Sequence, residues 1–80
     1  MKLSYDKDAD VLYITFEPLA KERCIYVENE RGDILRLNKE TKRVVGCTIM
    51  AFSRRASETL IIPEIGSVPF NELAAALVSE

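Results

Sequence analysis

Alternating apolar and polar positions run through residues 1–51 and predict β-strands. The clearest segment is 11–16, where Leu12, Ile14 and Phe16 would share one face of a strand because successive side chains point to opposite sides. Weaker segments of the same kind lie at 2–5, 23–28, 33–37 and 43–51. The first half of the chain therefore predicts five strands.

Short polar connections separate most of these segments. Residues 29–32 and 38–42 are typical of hairpin turns, and Gly32 can supply a positive φ. Short connections favour pairing between successive strands, so we expect an antiparallel meander in the order 1-2-3-4-5. Cys24 and Cys47 would then lie on strands three and five, about 10 Å apart on either side of strand four, which is too far for a disulfide.

The pattern changes after residue 51. Residues 52–68 predict an irregular connection with a short apolar piece at 60–63, and residues 69–79 predict a helix with an apolar stripe. The chain is thus expected to be a single α+β domain over 1–80, with a β-meander at 1–51 and a C-terminal helix. The helix stripe must be buried on its own sheet or on another chain, and these alternatives stay open. The predicted interaction residues on the stripe are Phe70, Leu73, Leu77 and Val78.

Composition narrows the classes of function. Of the 80 residues, 48% are apolar and 30% are charged, which is typical of a folded domain. The sequence has no histidine, which excludes a Ser-His-Asp or Cys-His catalytic site within one chain. We expect no enzyme activity, no cofactor and no metal. The two cysteines, the lack of a secretory signal and the lack of a long apolar run predict a cytoplasmic protein without a membrane partner.

Three alternating aspartates resemble the ligands of a calcium loop. Asp6, Asp8 and Asp10 are followed by Glu17 at the spacing of a bidentate ligand, but Val11 stands where such a loop needs glycine. The following residues also predict an extended strand, which carries Glu17 away from Asp6. We therefore interpret Asp6 as the acceptor of an Asx-type turn that Asp10 closes. The three aspartates are also the only candidates for acid–base catalysis.

Charge is unevenly distributed along the chain. Residues 31–55 contain seven basic and two acidic residues, whereas the whole chain has a net charge of −2. Such a block can form a patch for nucleic acid or an acidic partner, but it is also typical of solvated hairpins that protect strand edges. Because no aromatic residue is interleaved with the basic residues at 31–43, nucleic acid is not the expected partner. The basic patch consists of Arg31, Arg36, Lys39, Lys42, Arg43, Arg54 and Arg55.

A set of residues in the first half of the chain carries a family resemblance: Tyr5-Asp6, Ala9-Asp10, Leu12-Tyr13-Ile14, Val44-Val45-Gly46 and Ile49. With them, the first fifty residues resemble a prokaryotic family known as domain of unknown function 2283. The resemblance covers residues 2–51 and departs from the family pattern at Thr48, where an acidic residue is frequent, and at Thr41-Lys42, where a glycine turn is frequent. It implies a compact β-rich domain and implies no activity. Some members lie beside toxin-like genes, which implies an antitoxin-like role as one alternative.

These observations predict a small non-catalytic module that forms a homodimer or binds another protein. Eighty residues are near the lower limit for a self-sufficient core, so association with a second chain is a natural means of burying more apolar surface. The alternative from another class is an antitoxin-like or nucleic-acid-binding regulatory domain that uses the basic block of residues 31–55.

Overall fold

The computed structural model describes residues 1–78. The predicted α+β class, with a five-stranded antiparallel sheet followed by a C-terminal helix, is confirmed. The last residue of the predicted helix, Ser79, lies outside the described residues. The strands are β1 (Lys2–Asp6), β2 (Val11–Thr15), β3 (Cys24–Glu28), β4 (Ile34–Asn38), β5 (Val44–Met50), β6 (Thr59–Ile62) and β7 (Gly66–Pro69), and the helix α1 spans Phe70–Val78.

The order of the strands in the large sheet is β1-β2-β5-β4-β3, so the predicted sequential order is wrong. The connection between β2 and β3, residues 16–23, can reach about 26 Å when extended. That length exceeds the roughly 14 Å that separates strands three positions apart. The chain therefore crosses to the far side of the sheet, and β5 later pairs with β2 and β4 in the centre. Strands β1 and β3 are the two edges.

Three loops of the sheet are closed in the same way. Asp6, Asn29 and Asn38 each accept two backbone N–H bonds of 2.9–3.2 Å through a side-chain oxygen. This confirms the interpretation of Asp6 as a turn residue, since a carboxylate or amide oxygen can satisfy the N–H groups of the turn that follows it. Each loop also contains a residue with positive φ, namely Asp10 (56°), Gly32 (84°) and Lys42 (64°).

The core lies between one face of the sheet and the C-terminal third of the chain. Leu12 and Ile14 of β2, together with Cys47 and Ile49 of β5, are fully buried. They pack in one cluster with Phe52 and with side chains from β6 and α1. These central strands carry the core because every residue on their inner face has neighbours on both sides. The buried members from β6 and α1 are Leu60, Ile62, Phe70 and Leu73.

The segment 52–68 is more ordered than the predicted irregular connection. It begins with a 3-10 turn at Phe52–Arg54 and continues into the hairpin β6–β7, whose last residue, Pro69, belongs to β7 and not to the helix as predicted. Leu60 and Ile62 point into the core whereas Ile61 is 76% exposed, which is the alternation expected of a strand that covers a sheet. The hairpin and α1 together form the second layer of the fold.

The two cysteines remain unpaired, as predicted. Strands β3 and β5 flank β4 in the observed order too, and both Cys24 and Cys47 are free thiols. Burial raises the pKa of Cys47 to about 12, which keeps this thiol protonated near neutral pH.

A buried ion pair joins the sheet to the second layer. Asp33, which is fully buried, receives two hydrogen bonds of 2.6 and 2.8 Å from Arg55. Oxygen Oδ1 of Asp33 also accepts the backbone N–H of Met50, while Arg55 donates to the carbonyl of Met50. The guanidinium lies 5.1 Å from the ring centre of Phe70. The hydrogen bonds to Asp33 are the main reason why the pKa of Arg55 is raised.

We expect Asp33→Ala to lower the free energy of unfolding by about 3–5 kcal/mol, because it leaves the largely buried guanidinium of Arg55 without its main counter-ion. Urea denaturation followed by circular dichroism measures this loss. The control is Arg31→Ala, which removes a 3.0 Å ion pair to Glu58 from a side chain that is 68% exposed and should cost no more than about 1 kcal/mol. Equal losses in the two variants would contradict the central role of Asp33.

Candidate interaction site

The predicted helix stripe is used mainly inside the chain. Phe70 and Leu73 are 1% and 2% exposed and belong to the core, so these two residues do not form a free docking face. In the single chain the stripe covers its own sheet, which is one of the two alternatives that the sequence left open. Leu77 is half-buried against the core, and Val78 is 88% exposed. An interaction role for Leu77 and Val78 stays a prediction.

Leu77 and Val78 lie beside a shallow groove between the helix and β1. Tyr5, Phe52 and Ala74 complete most of its lining, and the groove is mainly apolar with a volume of about 330 Å³. Phe52 contacts Tyr5 on one side and Phe70 on the other, with ring centres 5.9 and 5.8 Å apart. The floor of the groove is therefore formed by the outer side of aromatic rings that pack against the core.

The basic block is largely engaged in contacts within the chain. Arg31 and Arg55 share Glu58, and Arg43 lies 3.6 Å from Glu64. The ammonium of Lys42 donates to the carbonyl of Lys39. Ion pairs reduce the charge that remains for a phosphate, so the predicted patch is weakened as a nucleic-acid site.

The side chain of Arg36, which belongs to the basic block, contacts the backbone of β2. Its guanidinium crosses over Gly46 and donates a 2.6 Å hydrogen bond to the carbonyl of Ile14. A β-carbon at Gly46 would collide with this guanidinium and would lie 2.7 Å from the same carbonyl oxygen. Gly46 is therefore explained by the close approach of a neighbouring side chain.

The alternating aspartates have different roles. Asp6 caps its turn through backbone N–H bonds. Asp10 accepts hydrogen bonds of 2.6 Å from both the Tyr5 and Ser53 hydroxyls. Within residues 1–78, no group of three or more acidic or thiol side chains has a geometry suited to a metal ion. Of the candidate acid–base residues, Asp6 thus closes a turn, Asp10 belongs to a structural hydrogen-bond network, and Asp8 is exposed.

The network around Asp10 connects two distant parts of the chain. Asp10 also accepts the backbone N–H of Ser53 at 2.9 Å, and its own carbonyl accepts the N–H of Phe52. The hydrogen bonds from Ser53 and then Tyr5 lower the pKa of Asp10, and the hydrogen bond to Asp10 is the main reason why the pKa of Tyr5 is raised. Sequence reasoning identified Tyr5 and Asp10 as a signature but missed Ser53, because no local pattern reports a partner 43 residues away.

Strand β3 is the part of the sheet that the second layer leaves uncovered. Ile25 and Val27 pair with Leu37 and Leu35 of β4, and Val27 lies on the face that Leu35 presents to the core. Yet the core cluster found among residues 1–78 contains members from β1, β2, β4 and β5 but none from β3. Val27 is 44% exposed, and on the opposite face Tyr26 is 54% exposed. The apolar residues of β3 therefore remain accessible.

The free edge of β3 also presents backbone groups. In the β3–β4 hairpin, Asn29 N–H bonds to the Asp33 carbonyl and Lys39 N–H bonds to the Arg23 carbonyl. Inward and outward pairs alternate along an antiparallel ladder, so Cys24, Tyr26 and Glu28 direct their backbone groups away from β4. The N–H of Cys24 bonds to the carbonyl of Lys21, which leaves its carbonyl and both backbone groups of Tyr26 and Glu28 available. We call these backbone groups, together with the side chains of Ile25 and Val27, the β3 edge.

The composition of β3 is itself an indication of this site. Residues 24–28 have no proline or lysine, although proteins commonly use these residues to block exposed edges. The long connection between β2 and β3 is a second indication that β3 lies at an edge. Only short hairpin connections require the two strands that they join to be neighbours. The error in strand order concealed the edge, since an order of 1-2-3-4-5 places β3 in the middle.

The comparisons with known proteins identify one family. A family model described as Protein of unknown function (DUF2283) matches residues 2–53, which include the five-stranded sheet and Ser53. No curated protein and no solved structure matches the chain. Within the described residues, no helix is long and apolar enough to cross a membrane.

We expect the Asp10 network to make the fold sensitive to acid. A carboxyl group with a lowered pKa stabilises the folded state above its unfolded pKa, and this contribution is lost as the pH falls through the folded pKa. The double variant Tyr5→Phe/Ser53→Ala should therefore show a smaller drop in melting temperature between pH 7 and pH 3 than the unmodified chain. The exposed residue Ser57 provides a control as Ser57→Ala. Parallel pH profiles for the double variant and the unmodified chain would refute the network's role.

Proposed function

We propose, from the premise that this chain belongs to the DUF2283 family of proteins of unknown function, that it is a non-catalytic homodimerisation module that associates through the β3 edge. The observation that carries the proposal is an edge strand with accessible apolar side chains and outward backbone groups. Addition of a strand to such an edge is a general mode of protein recognition, in which backbone hydrogen bonds provide affinity and alternate side chains provide specificity.

The two edges of the sheet differ in how well they are protected. On β1, the apolar residues Leu3 and Tyr5 pack against the core, and Lys2 begins the strand. On β3, Ile25 and Val27 have no such cover within the core of residues 1–78. Exposed edges that carry apolar side chains are prone to pair with another strand, which supports β3 rather than β1 as the interaction surface.

A non-catalytic role is supported by the chemistry of the ionisable groups. The sequence has no histidine, and the high pKa of Cys47 makes this thiol a poor nucleophile near neutral pH. The carboxylates of Asp6 and Asp10 accept hydrogen bonds that close a turn and join two segments.

The antitoxin-like or nucleic-acid-binding alternative receives less support. Arg31, Arg43 and Arg55 contact acidic side chains, and Arg36 contacts a backbone carbonyl. Non-specific binding to nucleic acid depends on many basic groups that can displace counter-ions from phosphates. We therefore favour association with another protein chain over association with nucleic acid.

We expect light scattering to give twice the mass of the single chain for the unmodified protein and a monomer mass for Val27→Lys. A lysine on the apolar face of β3 would place a charge inside the paired interface, where its desolvation is costly. The matched control is Ile61→Lys, which replaces a side chain that is 76% exposed on β6 and should leave the dimer intact.

Two outcomes would contradict the proposal. A monomer mass for the unmodified chain at high micromolar concentration would show that it is not a homodimerisation module. A dimer that persists in Val27→Lys would show that association uses a surface other than the β3 edge. Circular dichroism of each variant establishes that the monomer mass reflects lost association and not unfolding.

A further inference from the structure

We infer that the partner at the β3 edge is a second copy of β3, paired antiparallel about a two-fold axis at Tyr26. This inference rests on the proposed function and specifies its geometry. Tyr26 would face Tyr26 of the second copy, and Cys24 would face Glu28. The two five-stranded sheets would then form one continuous antiparallel sheet.

The backbone of the edge restricts the register. Cys24, Tyr26 and Glu28 carry the outward groups, as the hairpin bonds at both ends of β3 require, but the N–H of Cys24 is already bonded to the carbonyl of Lys21. Pairing centred on Tyr26 bonds the free N–H groups of Tyr26 and Glu28 to the carbonyls of Tyr26 and Cys24 in the other copy. Pairing centred on Ile25 leaves the N–H of Glu28 unpaired, and a shift by one residue places outward groups against inward groups. Pairing centred on Val27 also satisfies both N–H groups, but it places Ile25 opposite Asn29 instead of an apolar residue.

The side chains are compatible with the same register. Ile25 of one copy would face Val27 of the other, and the reverse pair repeats across the axis. Both residues lie on the core-facing side of the sheet, in the part that the second layer does not reach, and cross-strand β-branched pairs of this kind stabilise a sheet. On the opposite face the Tyr26 side chains would meet beside Arg36, which is the cross-strand neighbour of Tyr26 within its own chain.

The distribution of charge favours a second copy over an unrelated strand. Before the strand, residues 21–23 (Lys21, Glu22 and Arg23) carry a net charge of +1, whereas residues 28–31, which end or follow it and include Glu28, Glu30 and Arg31, carry a net charge of −1. Antiparallel pairing brings the basic end of one copy to the acidic end of the other. Parallel pairing would align like charges, which is destabilising. Arg23 is able to contribute because its side chain is 57% exposed and its ion pair with Glu40 is long, at 4.0 Å.

Disulfide trapping tests the register directly. In a Cys24→Ser background, Tyr26→Cys should form a disulfide-linked dimer almost completely under mild oxidation, since a hydrogen-bonded antiparallel pair has Cα atoms about 5.5 Å apart and disulfides require roughly 4.4–6.8 Å. Intact mass and non-reducing electrophoresis measure the linked fraction. Tyr26 is 54% exposed, so its replacement leaves the core unchanged.

Two further variants report the shifted registers, and a third variant serves as a control. Ile25→Cys and Val27→Cys lie off the axis, where two residues of strand add about 6.6 Å to the separation, so their linked fraction should be at least tenfold lower. The control Ile61→Cys places an exposed thiol on β6. A second positive signal comes from Glu28→Cys with the native Cys24 retained, because these thiols would face each other across the dimer.

The outcomes separate the register from the proposed function. Efficient trapping of Tyr26→Cys, with little trapping of the other variants, supports the register. Preferential trapping of Ile25→Cys or Val27→Cys overturns the register but leaves a β3-mediated dimer. A dimer by light scattering in which no β3 thiol is trapped overturns the pairing of β3 with itself. A monomer by light scattering overturns the proposed function and the register together.

Discussion

The buried ion pair between Asp33 and Arg55 is the contact on which the arrangement of the two layers depends. Asp33 ends the first hairpin loop after β3, and Arg55 lies in the segment that leaves β5. The pair also binds the backbone of Met50 at the end of β5, and the guanidinium packs over Phe70 at the start of α1. One interaction thus holds the centre of the sheet, the following turn and the helix in a defined relation. Its geometry matters because a buried charge is stable only with its partners in place.

The position of the second layer determines which part of the sheet remains exposed. The segment after β5 starts at the centre of the sheet and is turned by residues with a positive φ, beginning with Ala51 at 50°. The hairpin β6–β7 and α1 then pack mainly on β1, β2 and β5. A layer of this size cannot cover five strands, so the far edge at β3 keeps its apolar residues accessible. The proposed interaction surface is therefore a consequence of how the short C-terminal segment is anchored.

The residues that resemble the family signature have a structural explanation. Asp6 closes the β1–β2 turn, and Asp10 joins that turn to Ser53 while it also receives the hydroxyl of Tyr5. The network fixes the turn against the segment that leads to the second layer, and Asp33 holds the same segment two residues further on, through Arg55. The family match ends at residue 53, immediately after the network is complete. Signature residues of this kind report a shared architecture and do not by themselves indicate catalysis.

The sequence by itself determined the local structure, and the tertiary structure decided how the local elements combine. The strand at 11–16, the turn at Asp6 and the helix that begins near Phe70 followed from side-chain periodicity and from hydrogen bonds between residues a few positions apart. The strand order, the burial of Asp33 and the passage of Arg36 over Gly46 did not follow, because each depends on the free energy of contacts between distant segments. The apolar stripe of α1 shows the division clearly: its spacing predicted that it would be buried, but only the packing of the whole chain decided that Phe70 and Leu73 cover their own sheet. The same packing left β3 at an edge, since pairing over long separations depends on the total burial that the chain achieves and not on any local pattern.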